Sequence, residues 1–274
     1  MRNDLTAGKP GKLILQFTLP LLVGNLFQQF YSMADTIIVG RTIDVYALAA
    51  VGATGAISFL ILGFVQGVTS GFSVITAQCV GANDERGIRR SVATSILLSV
   101  GVTVLFTFLS IYTARPLLEL MQTPADIIDD AYRYIIVIYY GIVTSVFFNL
   151  FSSILRALGD SKTPLIFLII ACIINIVLDF ACILLFHMGV AGAAWATIIA
   201  QAVSALLCLL YSLKRFPVLR LHKEDWAFSW RFAWQHLRVG LPMAFQFSVT
   251  AIGVMIMQAA LNSFGSETVA AFTA

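Results

Sequence analysis

Seven apolar runs, at about 13–39, 47–79, 92–113, 131–155, 164–186, 190–213 and 239–264, dominate this sequence. Each is long enough to cross a hydrocarbon core of roughly 30 Å, which takes about 20 helical residues. A chain in lipid must pair its backbone N–H and C=O groups internally, and runs of this length do so as helices. The expected fold is therefore an all-α integral membrane bundle. Composition agrees, with 59% hydrophobic and 11% charged residues, where soluble domains carry about 25% charged. Secreted, disordered and nucleic-acid-binding classes are excluded, and a net charge of +3 is too small to imply a polyanionic partner. The second run exceeds a simple crossing, so it is expected to tilt or to continue past the membrane surface. The first lacks a small-residue cleavage site and is read as a retained signal anchor.

Cations near span ends fix orientation, because cytoplasmic loops carry them in excess. Of the 17 Lys and Arg residues, only Arg41, Arg115 and Arg133 fall on one side. The others occupy the N-terminal tail (Arg2, Lys9, Lys12) and the second, fourth and sixth loops, from Arg86 to Arg238. The N-terminus is thus expected in the cytoplasm of a multi-pass protein of the plasma (inner) membrane.

Of the 14 acids, all but Asp35 and Asp179 fall in tails, loops or span ends. A carboxylate within a span costs about 3 kcal/mol on insertion scales and persists mainly where it faces a cavity, an ion or a partner. No Lys or Arg within a span is available to pair with either. One reading is a protonated Asp hydrogen-bonding between helices; the other is a cation or proton site. At about 1.5 Å per residue, Asp35, Asp179 and Thr197 all lie roughly 6 to 11 Å below the outer surface. Asn175 stands one turn from Asp179 on the same face, and Gln28 and Ser32 share a face with Asp35 as possible supporting groups. Two nearby carboxylates in a low dielectric do not both stay ionised unaided. Either one takes up a proton, or both hold a cation with the oxygens of Asn175 and Thr197.

Other features read as architecture. Gly63, Gly67 and Gly71 form a small-residue stripe, as do Gly192, Ala196, Ala200 and Ser204; both are expected to be packing seams. Pro20 frees the carbonyl of Gln16 and should bend the first span. Cys79, Cys172, Cys182 and Cys208 lie in apolar runs and suggest no disulfide or metal framework. His187, His222 and His236 fall in loops or at span ends, where interfacial solvation is expected. In RALGDSKTP, Gly159 can end one helix, Ser161 or Thr163 can cap the next, and Pro164 suits its first turn. The segment 214–236, with Trp226, Trp230 and Trp234 among basic residues, reads as a cytoplasmic amphipathic linker lying in the interface.

Beyond that linker the sequence echoes the start of the chain. Leu241-Pro242 answers Leu19-Pro20 at an offset of 222 residues, which also pairs Leu15 with Leu237, Met33 with Met255 and Ala49 with Ala271. The layout of basic approach, early Leu-Pro and Ala-rich entry to the next helix is shared as well. Residues 1–213 are therefore read as a first six-helix transmembrane lobe. Residues 237–274 are read as the truncated start of a second, in a protein nearly twice as long.

The sequence resembles the multidrug and toxic compound extrusion (MATE) family through LPLLVGNLFQQFYSMADTIIVG, AQCVGANDERGIRRS, LRALGDSKTP, NIVLD and GAAWAT. The resemblance implies two six-helix lobes around a central cavity. It also implies an N-lobe cation site at Asp35, Asn175, Asp179 and Thr197, with Pro20 at the bending position of the first helix. Some members place an acid about two turns after the Leu-Pro of the seventh span, but MAFQFSVTAIG has none. The implied protein is not an enzyme. It is an antiporter exporting organic, cationic or amphipathic compounds against H+ or Na+, with no cofactor beyond that ion, no metal and no obligate protein partner. A lipid-linked oligosaccharide flippase of the same superfamily should line its cavity with fixed cations, and no Lys or Arg is visible within these spans. An intramembrane aspartyl protease resembles a Gly-x-Gly-Asp pattern, whereas Ile176-Val177-Leu178 precedes Asp179.

Overall fold

The computed structural model describes residues 10–273, and every regular element among them is helical. Asp4 and two of the orienting cations, Arg2 and Lys9, lie outside the described residues. The order is α1 (Pro10–Thr42), α2 (Val45–Gly81), α3 (Glu85–Leu120), α4 (Ile128–Tyr140), α5 (Ile142–Ala157), α6 (Lys162–Phe180), α7 (Val190–Arg215), α8 (Trp230–Asn262) and α9 (Ser266–Thr273). Six of these are long and apolar enough to cross a membrane singly, and the bent pair of α4 and α5 meets the same test together. Each of the seven apolar runs is helical.

Local chemistry sets the helix ends. Asp44 opens α2 by accepting the Ala47 N–H at 2.6 Å, and Asp84 opens α3 by accepting that of Gly87 at 2.9 Å. Between α5 and α6, Gly159 takes φ +87°, the left-handed conformation that ends a helix. The cap on α6 differs from expectation. Asp160, not Ser161 or Thr163, accepts the Thr163 N–H at 3.0 Å and its hydroxyl at 2.6 Å. At 37 residues, α2 is roughly 55 Å long, so it runs well beyond the hydrocarbon core.

The fourth run is not one straight helix; α4 and α5 meet at 48° at Gly141. A Cβ there would collide with Ile198 of α7, so glycine lets α7 pack into the bend. Nor is 214–236 one amphipathic helix. Pro217 ends the continuation of α7, two 3-10 turns come next (Pro217–Leu219 and Lys223–Trp226), and Trp230 and Trp234 already belong to α8. The buried Asp225 ties this segment to α3 through a 3.4 Å ion pair with Arg89.

The main core joins α2, α4, α7 and the end of α3 through side chains such as Ile57, Leu118, Ile135 and Tyr139, all fully buried. Away from it, Leu105, Phe108 and Tyr112 of α3 are exposed, as a lipid-facing surface requires. Both small-residue stripes are packing seams. A Cβ on Gly67 would lie 2.5 Å from the Ala244 Cα, and one on Gly71 would meet the Gly240 backbone, so α2 and α8 touch main chain to main chain. Along the other stripe, Ser204 of α7 donates to the Phe167 carbonyl of α6 at 2.8 Å. The repeat also has a structural counterpart, because α1 and α8 are each 33 residues long with an internal proline.

The α2·α8 seam overturns the solvated reading of His236. This residue is fully buried, its Nε2 is 2.9 Å from the Ser91 hydroxyl, and Ser91 is 2.9 Å from that of Thr76. Its Nδ1 is 2.9 Å from the Phe232 carbonyl, and its ring packs edge-on against Phe72. Three consecutive residues of α3 therefore grip the segment beyond α7. Arg89 holds Asp225, Arg90 lies 5.2 Å over the Phe232 ring, and Ser91 meets His236. His187 and His222 are exposed, as expected.

Candidate cation site between α1, α6 and α7

Asn175 and Asp179 lie one turn apart on α6, where the 3.6-residue repeat turns both into the bundle, and both are fully buried. The Asn175 amide nitrogen is 3.4 Å from Asp179 Oδ1 and 3.4 Å from the Thr197 hydroxyl on α7. With the amide turned over, its nitrogen donates to Asp179 Oδ2 at 3.2 Å and its oxygen faces the Thr197 N–H at 3.3 Å. Either orientation leaves the three residues in contact.

Asp35 reaches the same place from α1. It is buried, with Asp179 within electrostatic reach and the Tyr134 hydroxyl of α4 facing its carboxyl group. Its Oδ1 makes no hydrogen bond. Tyr31, one turn earlier on α1, is half-buried, and its hydroxyl oxygen is buried without a hydrogen bond. Among the described residues, neither carboxylate takes part in a salt bridge. The structure thus brings together the four residues singled out from sequence. It does not bring Gln28 or Ser32 to them. Both are exposed, with the Ser32 hydroxyl donating to the Gln28 carbonyl and the Gln28 side chain lining a different cleft.

Sequence reasoning missed Tyr31 and Tyr134, which in apolar runs look like ordinary packing or interfacial aromatics. It also missed the π-helical turn Ala181–Leu185, which begins two residues after Asp179. Such turns recur at functional sites because they re-aim side chains at the cost of regular hydrogen bonding. A signal for irregularity was present in the nearby His-Met-Gly, where His187 and Gly189 take positive φ.

Chemically, the cluster offers two carboxylates, a carboxamide, an aliphatic hydroxyl and two phenols, with two buried oxygens lacking hydrogen-bond partners. An oxygen-rich set of this kind can hold a hard cation or share a proton. Pro20 lies within α1, which continues through it as one helix.

The MatE family model matches residues 20–181. The probable multidrug resistance protein YpnP of Bacillus subtilis (strain 168) is 31% identical over 275 residues, an alignment covering 99% of this chain and 60% of the relative. A solved structure described as the outward-facing conformation of a multidrug resistance MATE family transporter of the MOP superfamily superposes with a TM-score of 0.85. It is 29% identical, over 97% of this chain and 59% of that one. An inward-facing conformation, described in the same terms, gives a TM-score of 0.83 at 27% identity, over 94% and 60%. The chain therefore spans about 60% of the length of the relatives it matches.

Proposed function

Because the chain belongs to the MatE family, a family of multi-pass membrane transporters, we propose that it acts in an antiporter exporting organic, cationic or amphipathic compounds by alternating access, driven by inward H+ or Na+. The observation that carries this reading is the cluster of Asp35, Asn175, Asp179 and Thr197 on three helices, with no cationic side chain among the described residues paired to it. An ion coupled to transport needs a site that it can occupy and leave, and a permanent salt bridge would close that site. The proton or Na+ enters the cluster from outside and offsets one of its two negative charges. Its release to the cytoplasm restores that charge for the next cycle.

Asn175 and Thr197 supply neutral oxygens to the same ion, with Tyr31 and Tyr134 at its edge. Pro20 is the hinge at which α1 bends to carry Asp35 toward or away from α6, since its ring leaves the Gln16 carbonyl without its helical partner. Residues of α8 and α9 open the second lobe, and the α2·α8 seam is the pivot between the two. Similarity of the chain to both an inward-facing and an outward-facing transporter supports a lobe that moves largely as a unit. The N-terminus is cytoplasmic and the protein resides in the plasma (inner) membrane.

The test is efflux of a fluorescent lipophilic cation from bacteria that lack their own exporters. Cells expressing the protein should accumulate less dye, and collapse of either the proton or the sodium gradient should abolish the difference. Accumulation equal to that of control cells, with the protein present in the membrane, overturns the reading.

A further inference from the structure

A second polar cleft lies apart from the aspartates, between α1, α2, α5 and the first turns of α6. It encloses about 70 Å³, room for a single small head group. Its nearest α1 residue, Gln28, is about 10 Å along the helix from Asp35. Hydrogen-bonding side chains line it from three helices: Asn25, Gln28, Gln66, Asn149, Ser152 and Arg156. No Asp or Glu does. The other walls are mainly apolar.

Arg156 decides what the cleft is suited to hold. It ends α5 as expected, but its side chain folds back along the helix, with Nε donating to the Ser152 carbonyl at 3.1 Å. That direction leads away from the loop and into the span. Among the described residues, the rest of its guanidinium makes no hydrogen bond and no ion pair. The nearby Asp160 is occupied in capping α6 through Thr163. In the same cleft, the Gln66 amide makes no hydrogen bond within the described chain, and the Asn149 amide donates one, to the Ser145 carbonyl. A guanidinium in a half-buried cleft without a carboxylate carries an uncompensated charge, and its planar fork matches carboxylate and phosphate oxygens. Amide N–H groups beside it supply further donors.

We propose that this cleft binds the oxyanion head group, carboxylate or phosphate, of an amphipathic molecule whose apolar part extends past Leu21, Phe148 and Leu168 toward the membrane. Arg156 pairs with the oxyanion, while Gln66 and Asn149 donate to its remaining oxygens. The site is distinct from the aspartate cluster and does not depend on which ion drives transport. It widens the substrate class to acidic and zwitterionic amphiphiles, which a cation-only exporter would not accept.

The test is calorimetric titration of the purified protein in phosphatidylcholine nanodiscs with octyl phosphate, octanoate and octyltrimethylammonium. The two anions should bind about tenfold or more tightly than the cation of equal tail length, and less tightly as salt rises. Arg156→Gln should weaken anion binding by about tenfold or more, and Arg156→Lys should retain part of it. Repeating the titration with phosphatidic acid in the nanodisc separates the sources of the head group. Competition by that lipid assigns the site to a membrane lipid, and its absence to a soluble amphiphile. Equal binding of anion and cation, or full anion affinity in Arg156→Gln, overturns the proposal. Should Arg156→Gln fail to fold, Gln66→Ala decides: a severalfold loss supports the site and unchanged affinity refutes it.

Discussion

Replacing Asp179 by Asn removes one negative charge from the aspartate cluster and almost no volume. The substitution should not disturb insertion, because a neutral amide is no costlier to bury than a carboxylate. Asn175, 3.4 Å from Asp179 Oδ1, finds an amide oxygen in the same position. What changes is the attraction for a bound cation. At a separation of about 4 Å and an effective dielectric of about 20, one unit charge contributes roughly 4 kcal/mol, or about a thousandfold in affinity. Asn175→Ala and Thr197→Ala each remove a single neutral contact, worth roughly 1 to 2 kcal/mol, or about five- to thirtyfold. The assay is efflux from proteoliposomes across a range of external Na+ at fixed pH, then across pH without Na+. Asp179→Asn and Asp35→Asn should lose coupling outright, whereas the Asn175 and Thr197 variants should retain it with the ion dependence displaced to higher concentration. The grading is what the geometry demands. If both Asp→Asn proteins reach the membrane in normal amount and export with unchanged ion dependence, the cluster is two protonated packing aspartates and the site assignment is wrong.

Packing and the charge distribution dictate other outcomes. In a protein stripped of its native cysteines, a cysteine at Asp126 should react with an impermeant maleimide from outside, while cysteines at Arg86 or Lys223 should not; external labelling of the latter two would invert the topology. Gly71→Leu drives a side chain into the Gly240 backbone and should cost about 1 to 3 kcal/mol, lowering the thermal midpoint in detergent. Gly55→Ala, with nothing within 4 Å of the added methyl, should not lower it, and equal losses at both positions would refute the backbone-to-backbone seam. His236→Ala leaves the Ser91 hydroxyl with Thr76 as its remaining partner and empties a fully buried ring site, and should cost about 1 to 3 kcal/mol, whereas a solvated histidine would cost nothing measurable.

Run length and the placement of charge made the helical architecture and four residues of the candidate cluster readable in the sequence. Asn175 and Asp179 declare themselves through their i, i+4 spacing, and Asp35 because an ionisable group in a span is conspicuous. Thr197 emerges from depth alone. The features that could not be read are those that depend on partners far along the chain. His236 stands 145 residues from Ser91, and nothing in its neighbourhood distinguishes a buried ring from one at the membrane surface. Tyr134 and Tyr31 are similarly silent, since a phenol beside a carboxylate and one beside lipid have the same local sequence. The break at Gly141 was hidden by an apolar run that continues without interruption across it. The amphipathic reading of 214–236 fails because its tryptophans and cations do not share one helix; Pro217 divides the segment, and its tryptophans belong to two elements. Arg156 stands at a span end, as its position in the sequence implies, but the direction of its side chain is a property of the rotamer and not of the position.

The central claim is that substrate leaves in exchange for an ion bound at Asp35 and Asp179, and the direct measurement is the movement of that ion. Proteoliposomes containing the protein, loaded with a pH-sensitive or sodium-sensitive dye and held without any imposed gradient, are exposed to a pulse of a lipophilic cation on one side. Antiport predicts that substrate flowing down its own gradient drives H+ or Na+ in the opposite direction, at a rate that saturates with substrate and vanishes in Asp35→Asn and Asp179→Asn. Substrate uptake that moves neither ion, or ion movement that survives in both variants, would contradict the account.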